Sequence, residues 1–135
     1  MVKQVHGREV AVVDRPDLGW IDKPADGLIT QIPGLVLGVR TADCIPIFFW
    51  DPNVCVIGIA HGGWRGVKEG IVGQMLGVFE RKFKTRKKDL VVALGPSIQK
   101  CCYEVGKEFA DYFPGFYREK DEQKGYLDLS GVVCD

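Results

Sequence analysis

A chain of 135 residues is the length of one domain and suffices for a core that buries most of its apolar surface. Hydrophobic residues make up 46% and charged residues 27%, the balance of a soluble globular protein. Lysine plus arginine equals aspartate plus glutamate at 18 each, so no global field draws the chain to nucleic acid or an anionic membrane, and its partners are expected to be small molecules or protein surfaces.

No apolar run has the length of a membrane span, and Met1-Val2-Lys3-Gln4 opens no signal peptide, so a cytoplasmic location is expected. Five cysteines form an odd set without a CxxC pair; neither a disulfide framework nor a zinc ribbon fits, and reduced thiols are expected. The motif QVHG starts three residues after Met1 and the chain stops just past an apolar pattern. The reading is one domain over residues 1–135, shortened at both ends.

In chain order, residues 10–13 read as a short apolar strand ended by Asp14-Arg15-Pro16-Asp17, residues 20–24 as loop, and residues 25–30 as a turn leading into a second strand. Pro33-Gly34 turns the chain into a third strand over residues 35–39. Residues 45–50 and 55–60 are β-branched and aromatic runs separated by Asp51-Pro52-Asn53, which reads as a β-hairpin. Val67, Ile71, Met75, Phe79 and Phe83 fall at four-residue steps and predict one amphipathic helix, with Lys68, Glu69, Gln74, Glu80 and Arg81 outward. Gly70, Gly73 and Gly77 weaken it by roughly 1 kcal/mol each against alanine, so packing must hold it. The apolar run 90–94 predicts a buried strand, ended by the turn Gly95-Pro96-Ser97-Ile98. Residues 104–113 read as a short helix with Val105, Phe109 and Tyr112 inward, and residues 116–125 as a charged, exposed stretch. Residues 126–129 begin an element whose partner would lie beyond the end. Strands followed by alternating helix and strand give a mixed α/β (α+β) arrangement of sheets layered with helices.

The hairpin places Cys44 at the start of its first strand and His61 at the end of its second, and antiparallel pairing brings those ends side by side. The only other histidine is His6. If it folds back to the same place, two histidines and one cysteine make the three-ligand set of a catalytic zinc site with an open fourth position. The alternative is that each histidine is a satisfied polar residue at a strand end and Cys44 is core. Gly7, Gly62 and Gly63 flank the histidines and let backbone or ligand approach closely, which adds weight to the site.

Arg65 precedes the predicted helix, so its guanidinium and the free helix N–H groups can point at one anion; otherwise it pairs with a surface carboxylate. Trp64 is a core anchor or a stacking wall for a planar ligand. Asp26 and Asp43 can orient a ligating histidine or act as acid or base, although strand alternation turns Asp43 away from the face of Cys44. Arg40 can lower the Cys44 thiol pKa or bind a substrate anion. Ser97 offers a hydroxyl, but no GxSxG elbow surrounds it. Cys101 and Cys102 are adjacent and could oxidise, with burial the preferred expectation.

QVHG, ADGLIT, TADCIPI, AHGGWRG and LGPSIQKCCYEVG, in this order and spacing, resemble the YfiH family, also called the polyphenol-oxidoreductase laccase or purine nucleoside phosphorylase family. The resemblance covers nearly the whole chain. It implies a YfiH-like fold of mixed sheets between helices and a metal site at His6, Cys44 and His61. It further implies zinc-dependent phosphorolysis of adenosine, inosine and S-methyl-5′-thioadenosine, with adenosine deamination beside it; purine nucleoside and phosphate would be the partners. The HxE and PCxxC signature of nucleobase deaminases is absent, so deamination would be an independent solution. Copper is the weaker cofactor, because a multicopper centre needs many histidines and a blue-copper site an axial methionine. Two alternatives stay open: a metal-free hydrolase with Cys44 as nucleophile and His61 as base, and a binding module using Trp64 and Arg65.

Overall fold

The computed structural model describes residues 1–15 and 21–135. Its strands are β1 (Val2–Lys3), β2 (Val10–Val13), β3 (Ile21–Pro24), β4 (Gly27–Thr30), β5 (Ile45–Asp51), β6 (Val56–Gly62), β7 (Val91–Leu94), β8 (Glu104–Gly106), β9 (Tyr117–Glu119) and β10 (Lys124–Leu127). The helices are α1 (Trp64–Glu69), α2 (Ile71–Phe83), α3 (Phe109–Tyr112) and α4 (Leu129–Cys134).

The predicted hairpin, β5 and β6, is the centre of a five-stranded sheet ordered β2-β4-β6-β5-β7, in which only β2 and β4 run parallel. Helix α2 crosses one face, where Met75 and Phe79 are fully buried. They settle into hollows over two strand glycines: a Cβ on Gly27 would meet the Met75 sulfur at 2.7 Å, and one on Gly58 the Met75 methyl at 2.9 Å and the Phe79 ring at 3.0 Å. The four-residue apolar spacing therefore buries as predicted.

The helix itself begins earlier than predicted and is two helices. Gly70, at φ 88°, is the left-handed cap that closes α1, its N–H returning to the carbonyls of Gly66 and Val67, and the chain restarts as α2 from the same residue. The apolar period hides this break because it carries across it.

On the other sheet face a second core gathers Val2, Ala11, Val13, Ala25, Leu28 and Ile59, with Leu35, Leu37 and Val39 against it. Residues 35–39 alternate inward and outward as a strand would, but they enter no ladder; the side chain of Gln4 takes the place of a partner strand at Arg40, as described below. Residues 21–24, predicted as loop, pair in parallel with β1, a strand too short to signal itself. The turn predicted at residues 14–17 falls partly, and Trp20 wholly, outside the described residues. The run 90–94 forms an edge strand and is not buried: Val91 is 51% exposed, since β7 pairs with β5 alone. Apolar runs mark buried strands only when layers cover both faces.

The C-terminal third departs most from its reading. Residues 104–106 are a strand and α3 is a single turn, with Phe109 buried but Tyr112 38% exposed. Residues 116–125 hold β9 and the start of β10. The partners of β10 are β9 and β8, inside the chain, which corrects the expectation that they lie beyond it. Charge masked these short strands: Glu104 takes Lys120 and Lys124 as ion-pair partners, which pull its carboxyl down to about 2. Phe109, Phe113, Leu127 and Leu129 join the main core. Trp64 meets Phe109 edge-on at 4.9 Å and stacks on Tyr112 at 6.0 Å, so it anchors α1 to this layer.

Candidate metal centre

The hairpin register pairs Ile45 with Gly62, which puts Cys44 beside Gly63 and next to the end of β6 that carries His61. His6 arrives on the loop after β1. The three ligand atoms of His6, Cys44 and His61 lie within 4.8 Å of one another. The imidazoles meet edge to face, with ring centroids 4.7 Å apart.

One buried carboxylate organises this convergence. Asp26 is fully buried and accepts from three successive backbone N–H groups, those of Val5 at 3.1 Å, His6 at 3.0 Å and Gly7 at 2.9 Å. It also accepts from His61 Nδ1 at 2.8 Å. A carboxylate can only accept, so Nδ1 carries the proton and Nε2 is left with its lone pair free for the cluster. His6 sits at φ 60°, a left-handed conformation that costs roughly 1–2 kcal/mol for a residue with a Cβ. The bonds to Asp26 offset that cost and aim the ring inward. Of the carboxylates considered from sequence, Asp26 takes the histidine-orienting position.

The glycines of AHGGWRG each make room for a different neighbour. A Cβ on Gly62 would press on the Ile45 carbonyl oxygen at 2.9 Å. A Cβ on Gly63 would stand among the candidate ligands, 3.1 Å from the His6 ring, 3.4 Å from Cys44 Sγ and 3.5 Å from the His61 ring. A Cβ on Gly66 would come within 2.5 Å of the Gly7 carbonyl oxygen, so the loop bearing His6 rests directly on helix α1.

The cluster opens into a cleft of about 570 Å³ whose lining includes Gln4, Arg40, Thr41 and Asp43. Gln4, the first residue of QVHG, has a structural part in this cleft. Its amide donates to the Arg40 carbonyl at 2.8 Å and accepts from the Arg40 N–H at 2.7 Å, an imitation strand that fixes the segment leading to Cys44. Asp43 lies in a bend outside the strand, so it shares the cleft with Cys44 and is not turned to the opposite face. Burial, then the charges of Asp43 and Asp26, push the Cys44 thiol up. A bare Cys44 is therefore a protonated thiol at neutral pH and a poor nucleophile, whereas a bound cation would stabilise its thiolate.

Arg65 and Ser97 do not line this cleft. The Arg65 guanidinium lies 5.0 Å from the Trp64 ring centroid and has no carboxylate partner among the described residues. Ser97 accepts from the Gln99 amide at 3.0 Å through its carbonyl, in a turn whose next residue, Ile98, donates its N–H to the Asp43 carbonyl at 3.0 Å. Tyr103, which the sequence did not single out, has its phenol pushed up by burial and by the nearby Cys44 and Asp43.

Two imidazoles and a thiol, with a carboxylate fixing one tautomer and a glycine leaving space between them, fit the donor set of a catalytic zinc ion. The Met75 sulfur is buried over Gly27 in the core, so the sequence's internal methionine does not complete a blue-copper set.

The family model for multi-copper polyphenol oxidoreductase laccase matches residues 1–134. The chain is 36% identical over 116 residues to purine nucleoside phosphorylase YlmD of Geobacillus stearothermophilus, covering 81% of this chain and 42% of that protein. It is 35% identical over 140 residues to adenosine deaminase RL5 of an unknown prokaryotic organism, covering 98% of this chain and 50% of that one. The crystal structure of YlmD from Geobacillus stearothermophilus superposes with a TM-score of 0.87 at 33% identity, over 96% of this chain and 54% of that chain. The chain thus spans about half the length of the relatives it matches.

Proposed function

Starting from the fact that this chain belongs to the multi-copper polyphenol oxidoreductase laccase family, we propose that it carries the metal centre of a zinc-dependent purine nucleoside phosphorylase. Its substrates are adenosine, inosine and S-methyl-5′-thioadenosine, with deamination of adenosine as a side activity. The observation that carries this reading is the convergence of His6, Cys44 and His61 within 4.8 Å at the floor of a cleft. The names of the relatives supply the chemistry: purine nucleoside phosphorylase, and in one case adenosine deaminase.

Bound zinc supplies a positive charge to a purine that leaves with its bonding electrons, or polarises water for deamination. The chain's own residues do the rest. Asp26 holds His61 in the tautomer that presents Nε2. Arg40 lines the cleft, and a guanidinium is a planar fork suited to a phosphate. Asp43 is exposed in the same cleft beside Cys44 and is the group that exchanges a proton with the substrate in this reading. Arg65 and Ser97 lie outside the lining, and of the two arginines read as anion-binding, Arg40 is the one on the cleft wall.

The series Asp26, His61 and Cys44 would also suit a metal-free cysteine hydrolase. Two observations favour metal: His6 joins the cluster although such a dyad has no use for it, and the Cys44 thiol is pushed up rather than down. Among the described residues no helix is long and apolar enough to cross a membrane.

The test is release of free base from adenosine and inosine, with and without phosphate, before and after metal removal. Phosphate-dependent release that disappears with the metal and returns with zinc is expected. Release indifferent to metal removal would transfer the reading to the Cys44 and His61 hydrolase. Ammonia without free base would make deamination the main reaction.

A further inference from the structure

We propose that Cys101 and Cys102 form a vicinal dithiol that low-molecular-weight disulfides oxidise to an intramolecular disulfide, a modification site separate from the His6, Cys44 and His61 cluster. The sequence favoured buried thiols here, but both residues are exposed, with their sulfur atoms in contact at 3.1 Å. The turn holds them together: the N–H groups of Cys102 and Tyr103 both donate to the Gln99 carbonyl at 2.9 Å, and the N–H of Glu104 donates to the Cys102 carbonyl at 2.9 Å. Cys101 also borders a cavity of about 390 Å³ whose walls include Lys100, Phe116, Tyr117 and Asp128, which gives an incoming disulfide room to reach it.

Access sets the order of attack. Cys101 borders the cavity and Cys102 does not, so Cys101 is the sulfur that an incoming disulfide meets first. Its thiolate displaces one thiolate from the small disulfide, breaking that S–S bond and forming a mixed disulfide; the thiolate released takes up the proton given up by Cys101. The Cys102 sulfur then attacks the Cys101 sulfur and expels the second thiolate, which takes up the Cys102 proton. Two protein thiols are oxidised and one disulfide is reduced to two thiols.

Reversibility follows from geometry. Adjacent Cα atoms are about 3.8 Å apart, below the separation of about 4.4–6.8 Å that unstrained disulfides adopt. The closed ring is therefore strained and reopens readily in excess thiol, as labile disulfides do. Cys55 and Cys134 are exposed as well, but neither has a thiol in contact, so their reaction with a small disulfide stops at the mixed adduct.

The experiment is incubation of the whole chain with glutathione disulfide, alkylation of remaining thiols and digestion with trypsin, which releases residues 101–107 between Lys100 and Lys107. The expected peptide is lighter by two hydrogens and carries no alkyl group, while the peptides of Cys55 and Cys134 carry glutathione. Dithiothreitol restores both alkylation sites, and Cys102→Ser leaves a persistent glutathione adduct on Cys101. A persistent adduct on either cysteine of the unsubstituted chain would overturn the proposal. So would full alkylation of residues 101–107 under conditions that modify Cys55 and Cys134.

Discussion

Replacing Asp26 by asparagine is expected to weaken zinc binding by about 10–100-fold and to lower stability by about 3 kcal/mol. The shape hardly changes, but the hydrogen-bond sense does. Oδ1 receives the His6 N–H and His61 Nδ1, while Oδ2 receives the N–H groups of Val5 and Gly7. Whichever way an asparagine amide turns, its NH₂ faces donors in a site that is fully buried. The imidazole can relieve its share by moving its proton to Nε2, but Nε2 is then no longer available to a metal. Loss of stability and loss of metal affinity thus come from the same substitution. Calorimetric zinc titration and thermal unfolding read the two effects, with a Tm lower by about 10 °C. Unchanged zinc affinity in Asp26→Asn would remove Asp26 from the account.

Gly66→Ala is the second large effect, and it acts on His6 from the opposite side. The added methyl would stand 2.5 Å from the Gly7 carbonyl oxygen, and since the Cβ position is fixed by the backbone and the oxygen belongs to the main chain, no side-chain rotation can relieve the contact. Either α1 or the loop over residues 5–7 must shift, at about 1–3 kcal/mol for an overpacked site. A shift of that loop takes His6 away from Cys44 and His61. Zinc affinity should fall at least tenfold while the other two ligands stay in place. Gly73→Ala is the natural comparison, because a Cβ there meets nothing within 4 Å; it should leave zinc binding unaltered and stabilise α2 by up to about 1 kcal/mol. Equal zinc affinity in Gly66→Ala and the unsubstituted chain would mean that His6 is not held by this contact.

These two sites show what the sequence could and could not reveal. The hairpin was legible because β-branched runs flank Asp51-Pro52-Asn53, and its register alone carries Cys44 to His61. The inward face of α2 was legible from four-residue spacing, and Met75 and Phe79 are its fully buried members. His6 was a different kind of inference, since nothing in QVHG states where its loop docks; the docking rests on backbone N–H groups meeting a carboxylate twenty residues later. Gln4 left no signal at all, because an amide that imitates a strand leaves no periodic pattern. The C-terminal layer was misread for a related reason. The exposed residues Arg118, Glu119 and Lys124 of β9 and β10 are charged, so two short strands looked like a solvated stretch. Strand alternation misplaces Asp43 because that residue lies two positions before the strand begins. Local pattern thus predicts elements, whereas the site depends on contacts between residues far apart in sequence.

The claim on which the rest depends is that His6, Cys44 and His61 hold one metal ion together. Cobalt substitution tests it most directly, because a thiolate bound to cobalt(II) gives a charge-transfer absorption that imidazole ligands do not. The band is expected at one cobalt per chain, with its loss in Cys44→Ser and cobalt binding weakened in both His6→Ala and His61→Ala. A band that survives Cys44→Ser, or a chain that binds no cobalt, would contradict it.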